Sequence, residues 1–209
     1  KKKEPKELYQ FANKIIKSYG SLHRKINFIQ NIRSKEDYVY KHSLNTAILS
    51  AMMAYKLNME FKKQLDVVVA ALLHDVGTLI IPINLRHKNK ADLSEEELKK
   101  VNTYHLAAMQ MFTKNKDLDI DIVKMVTDII KQLHPDIVKD GEMPDIMPLG
   151  AEILKVAYVY DMMTAMNFEE EPHSEIVAIR HLMGDETAYN PDVVDALLSS
   201  INILQPGTC

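Results

Sequence analysis

Residues 67 to 73, VVVAALL, are apolar on every side, and the pattern reaches back through Leu65 to Phe61. That length is helical rather than extended, and a helix that is apolar all round belongs at the centre of a domain. The run ends abruptly, because His74 and Asp75 follow it at once. Two ionisable side chains at the end of a buried helix are either a paired structural feature that closes it or groups that reach toward a metal. Gly77 is expected to stop the helix as a left-handed C′ residue.

Helical periodicity continues along most of the chain. Leu44, Ala47, Ile48, Ala51, Met52 and Tyr55 step by three and four, as one buried stripe requires. Ser94 and Glu97 form a capping box that opens a long helix through Phe112. Another helix spans about Leu118 to Leu133, since Pro135 opposes its continuation. The proline-rich stretch from Pro135 to Pro148 is expected to be a loop, followed by a helix from about Leu149 to Met166 and an acidic turn at Glu169 to Glu171. Two more helices follow, from about Pro172 and from Pro191 at the first helical position, and Pro5 to Tyr19 forms a lead-in helix. Strand signals and internal repeats are nearly absent. The expected class is all-α, a helical bundle.

Composition narrows the functions open to such a bundle. With 209 residues and 46% hydrophobic content the chain can bury one sizeable core, and a net charge of −3 with both signs interspersed excludes the basic field of a nucleic-acid-polymer or anionic-membrane binder. No apolar span is long enough to cross a membrane, and the lysine-rich start lacks the apolar stretch of a signal peptide. The single cysteine, Cys209, fits a cytoplasmic setting. A start at Lys1 reads as a piece of a longer protein.

Against this background five polar residues stand out on or at the ends of inward faces: His42, His74, Asp75, His105 and His134. A lone buried histidine is more often hydrogen-bonded to a carbonyl than bound to a metal. Burying four imidazoles and a carboxylate together would cost several kcal/mol for each group, roughly, unless a cation compensates. Imidazole nitrogen with carboxylate oxygen suits iron, manganese or zinc. His23, His87, His173 and His181 lie in polar or mixed surroundings and read as surface.

The blocks EDYVYKHS, LLHDVGTLIIP, LSEEELKKVNTYH, ILKVAYVYDMMTAM and AYNPDVVDAL, in that order, resemble the HD-GYP branch of the HD phosphohydrolase superfamily from about Glu36 to Leu197. The resemblance implies residues 1–30 as lead-in helices continuing from an upstream domain and residues 31–209 as an HD-GYP-like helical bundle. It implies a transition-metal centre, iron or manganese, mononuclear or binuclear. Its ligand would be cyclic di-GMP or a related cyclic dinucleotide. Partners would be a sensory or receiver domain upstream, with a second copy of the chain as a further candidate. Carried over position by position, His42, His74 and Asp75 match the ligands of a first ion, with Asp75 bridging, and His105 and His134 match those of a second. A metal supplies the nucleophile by bringing the pKa of bound water to about 7.

Departures from the pattern accompany these matches. Thr78 stands where the family carries a catalytic lysine, so a phosphate-pairing ammonium is replaced by a neutral hydroxyl. Tyr158 stands where the family has the last metal-binding aspartate, and Asp161 follows one turn later. A phenolate can bind iron, but the ordinary phenol pKa of about 10 opposes this. One member of a histidine pair is replaced by Leu133, and the substrate-cleft loop keeps Gly141 and Pro144 without its tyrosine. The acidic run Asn167 to Glu171 would repel an anion, while Arg86 to Lys90 forms a basic patch after the His-Asp pair. Three readings follow: a metal-dependent phosphodiesterase with weak or absent hydrolysis, an inactive metal- or nucleotide-binding signalling module on the same fold, and a plain helical interaction domain.

Overall fold

The computed structural model describes residues 5–28, 33–34, 36–88, 90–138, 147–165, 172–185 and 187–203. Nine α-helices are found among them: α1 (Lys6–Ile15), α2 (Tyr38–Lys56), α3 (Phe61–Leu73), α4 (Ile83–Arg86), α5 (Glu95–Lys114), α6 (Ile120–Leu133), α7 (Leu149–Thr164), α8 (Glu175–Met183) and α9 (Pro191–Leu198). The described residues form no strand beyond a single bridge, in which the Ile26 amide donates to the Ser200 carbonyl at 3.1 Å and the Asn202 amide to the Ile26 carbonyl at 2.8 Å. No described helix is long and apolar enough to cross a membrane.

The uninterrupted apolar run places α3 at the centre. Val67 to Ala71 are all buried, and α3 packs against α1, α2, α6 and α7. A helix surrounded on four sides leaves little surface on which a charge can be solvated, and its buried Asp66 is answered by Lys62 one turn before it, at 2.6 Å. The described part of the lead-in belongs to the same core, since Ala12, Ile15 and Ile16 are buried in it. Asn58, with φ of 52°, makes the left-handed turn that folds α3 back along α2. Capping fixes several boundaries. The Glu97 amide donates to Ser94 Oγ at 3.2 Å and the Ser94 amide to Glu97 Oε2 at 3.0 Å, as the capping box predicts, while Asp119 and Asn190 cap α6 and α9.

Gly77 has a different task from the one expected of it. Helix α3 ends at Leu73, His74 stays in right-handed helical geometry, and the chain continues into a 3₁₀ turn, Val76–Ile80, with no left-handed glycine. The glycine is needed for closeness instead, because a Cβ at residue 77 would lie 2.5 Å from the Ala108 Cβ on α5. Hydrogen exchanged for methyl there pushes the turn carrying Asp75 and Thr78 away from the helix carrying His105. The expected end of α7 at Met166, the acidic turn, Gly141 and Pro144 lie outside the described residues.

Gly77→Ala is predicted to cost about 1–3 kcal/mol in urea unfolding, as overpacking does. Adding Ala108→Gly should return part of that loss, beyond what the two separate changes would sum to. Strictly additive losses would show that the close approach is not what requires glycine.

Candidate metal centre

Helices α2, α3 and α7 bring the first group together. His42 lies in α2, His74 is the residue on which α3 ends, and Tyr158 and Asp161 lie one turn apart on α7. Asp161 Oδ2 is 2.6 Å from His42 Nδ1, and Asp161 Oδ1 accepts from Arg33 Nη2 at 2.6 Å and from Asn45 Nδ2 at 3.0 Å. Arg33, His42 and Asp161 are all within 2% of complete burial. Burial opposes ionisation of Asp161, but the hydrogen bonds from His42 and Arg33 and the guanidinium charge prevail and bring its pKa down to about 2.

Those partners decide where the ring protons sit. Asp161 is a carboxylate, which only accepts, so His42 must carry its proton on Nδ1. His74 Nδ1 lies 2.7 Å from the Ala71 carbonyl, which also only accepts, so His74 carries its proton on Nδ1 as well. The two Nε2 atoms then face each other at 3.2 Å, and when both rings are neutral each presents a lone pair to the other. Neutral rings repel in that arrangement, and either a third proton or a metal cation relieves it. Burial and the neighbouring His42 hold the His74 pKa at about 3, which disfavours protonation of that ring.

Asp75 borders the same space. Burial raises its pKa to about 6, against the opposing influence of the Arg86 guanidinium. Together with Tyr38, Tyr158 and Met162, His42 and Asp75 line a cavity of about 240 Å³. Tyr158 packs edge-to-face on both imidazoles, with centroids 4.8 Å from His42 and 5.6 Å from His74. Burial and the carboxylate of Asp75 push its phenol pKa well above the ordinary value, so the ring is a neutral wall. The Thr78 hydroxyl donates to the Asp75 main-chain carbonyl at 2.8 Å, leaving it lone pairs but no proton to offer.

The second pair is arranged differently. His105 and His134 stack with centroids 3.5 Å apart and planes at 22°. Lone pairs lie in the ring planes, so stacked rings direct them side by side rather than at one point. Burial lowers the pKa to about 4 at His105 and, helped by His105, to about 3 at His134. His105 lines an adjoining cavity of about 200 Å³ that shares Thr78, Arg86 and His134 with the first.

The five residues singled out in the sequence therefore form two groups, with His42, Asp75 and His134 on the first cavity and His105 and His134 on the second. Among the described residues no three His, Cys, Asp or Glu side chains form a ready coordination sphere. The donor set nevertheless suits a cation at His42 and His74, with Asp75 on the cavity that His42 lines, whereas the rings of His105 and His134 lie stacked. Of the histidines expected at the surface, His23, His173 and His181 are exposed and His87 is half-buried. Sequence reasoning missed Arg33 and Asn45, because nothing in their local pattern distinguishes them from solvated side chains. Asp161 had a signal, its one-turn spacing from Tyr158.

Two consequences are measurable. Asp161→Asn removes the charge that balances buried Arg33 and should cost about 3–5 kcal/mol in urea unfolding at pH 7; a change under about 1 kcal/mol would contradict the buried-ion reading. His74, His105 and His134 have folded pKa values below the unfolded value of about 6.5, so the unfolded chain takes up more protons as pH falls below that point. Asp75, with its raised pKa, acts oppositely between about 6 and 4. Three imidazoles outweigh one carboxyl. Metal-free protein should lose about 1 kcal/mol or more between pH 7 and pH 5, and a gain in stability would contradict the assignment.

Comparison with known proteins agrees with this geometry. The family of the HD domain matches residues 27–193. A curated relative, the cyclic di-GMP phosphodiesterase PdeB of Borreliella burgdorferi, is 30% identical over 86 residues, which are 41% of this chain and 22% of the relative. The match thus spans less than a quarter of that protein's length. Among solved structures, Bd1817, a HDG"Y"P protein from Bdellovibrio bacteriovorus, superposes with a TM-score of 0.57 at 22% identity, covering 81% of this chain and 53% of that one. The chain belongs to the HD-domain family.

Proposed function

We propose that this chain is the metal-dependent phosphohydrolase domain of a cyclic di-GMP signalling protein, in which hydrolysis is weak or absent. The observation that supports the metal is the approach of the His42 and His74 Nε2 atoms to 3.2 Å, with both Nδ1 atoms engaged by acceptors. His42, His74 and Asp75 would hold the ion, iron or manganese, in a single site. A bound cation would supply an acidified water and positive charge toward phosphoryl oxygens. Asp161 fixes the His42 tautomer, as a carboxylate behind a ligating histidine does. Asp75, with a pKa of about 6, is ionised at neutral pH and supplies the negative charge a divalent ion seeks. Below about pH 6 a proton competes for that carboxyl.

Two features support weak turnover. Thr78 brings no charge to a substrate phosphate, and its proton is already used at the Asp75 carbonyl. Tyr158 adds no negative charge where a second carboxylate would assist the ion. The stacking of His105 on His134 favours one ion over two. The second reading, a module that binds cyclic di-GMP without turnover, draws on the same features. An upstream sensory or receiver domain is part of the proposal, consistent with the relative extending well beyond the matched region.

Protein loaded anaerobically with Fe²⁺ or with Mn²⁺ and desalted should retain one ion per chain, lost in His74→Ala. Incubated with cyclic di-GMP, it should give little or no linear product. The double change Thr78→Lys with Tyr158→Asp should raise turnover by about tenfold or more. Retention of no metal by the wild type would refute the metal reading. Fast hydrolysis by the wild type would refute the weakness.

A further inference from the structure

Resting on that reading, the cleft needs a cation for the ligand's phosphate, and Thr78 cannot provide one. Three basic side chains reach the cavities. Lys88 Nζ is bound to Glu97 at 2.6 Å, and Lys90 Nζ to Asp136 at 3.0 Å. Arg86 makes no side-chain hydrogen bond or ion pair among the described residues, and it lines both cavities. Its half-buried position is set by the chain: Leu85 is buried as an anchor, and the Arg86 amide is tied to the Pro82 carbonyl at 2.9 Å. The charge is near enough to Asp75 to lower that carboxyl's pKa.

We propose that Arg86 is the phosphate-binding residue of this cleft, engaging a phosphodiester that spans the two cavities. A guanidinium offers a planar fork of donors that matches two oxygens of one phosphate. With Thr78 and His134, Arg86 belongs to the boundary that the cavities share, so a ligand with one end beside His42 and Asp75 and the other against Val101 and Asn102 must pass it. The neighbouring Ile81, Leu85 and Leu98 give the second cavity apolar walls, suited to the flat face of a base rather than to a second anionic group. The ligand class is thus a nucleotide phosphodiester, held by one cation from the protein and one from the metal site.

The test uses Mn²⁺-loaded protein and two probes, pyrophosphate and cyclic di-GMP, with binding followed by calorimetry. Arg86→Met should weaken both probes by about tenfold or more, as loss of a charge-assisted pair does. Lys88→Met, whose partner is Glu97, should change affinity by less than about threefold. Arg86→Lys, which keeps charge but loses the fork, should fall between wild type and Arg86→Met. Helical content should be unchanged in all three, and each is saturated with Mn²⁺ before the probe is added. Equal binding by Arg86→Met and wild type overturns the proposal, as does a loss at Lys88→Met as large as at Arg86→Met. A wild type that binds pyrophosphate but not cyclic di-GMP defeats the cyclic dinucleotide reading alone, and Arg86 is then judged on pyrophosphate. A wild type that binds neither probe defeats both.

Discussion

A carboxylate sealed from water must be answered by donors, and Asp161 is answered by Arg33, Asn45 and His42. Everything at the candidate centre depends on that balance. Because the carboxylate accepts from His42 Nδ1, the opposite nitrogen is turned toward His74 and is the one free to meet a cation. Remove the charge of Asp161 and the ring is free to adopt the other tautomer, and Arg33 is left buried without its counter-ion. The network ties the segment before α2 to α7 through one residue, so the orientation of a ligand atom is set by side chains far apart in sequence.

The bundle supplies the rigidity this demands. Helix α3 is enclosed by four others and carries His74 and Asp75 to the point where the apolar interior ends. The next turn is pressed onto α5 at Gly77, which holds Asp75 and Thr78 against the helix that carries His105. Two adjoining cavities that share Thr78, Arg86 and His134 result, differing in chemistry: one is bounded by imidazole, carboxylate and phenol, the other by aliphatic side chains with a basic rim. That difference favours a ligand with a reactive phosphoester at one end and an apolar, planar group at the other.

Much of this was legible in the sequence, for physical reasons. The run from Val67 to Leu73 is too apolar to lie anywhere but the centre, and the Ser94–Glu97 box starts its helix where expected, because both signals are local. The five inward polar residues were identified from desolvation alone. Their division into His42, His74 and Asp75 on one side and His105 and His134 on the other came with the family resemblance, whereas the way the rings meet did not, since periodicity gives the face of a helix but not how two rings from different helices approach. Stacking of His105 on His134 is a tertiary outcome. Gly77 was misjudged because a glycine after a helix signals a left-handed cap equally well as a close approach. Arg86 gave only the signal of a basic loop, and its significance appears when its lysine neighbours are seen to be paired.

The central claim is that the facing Nε2 atoms of His42 and His74 share a cation. Pulsed electron paramagnetic resonance of the Mn²⁺-loaded protein reads this directly, through magnetic coupling to imidazole nitrogen. The account predicts coupling to two nitrogens, reduced to one in His74→Ala and unchanged when His105 or His134 is replaced by alanine. Bound Mn²⁺ with no nitrogen coupling, or with coupling that disappears only on loss of His105 or His134, would contradict it.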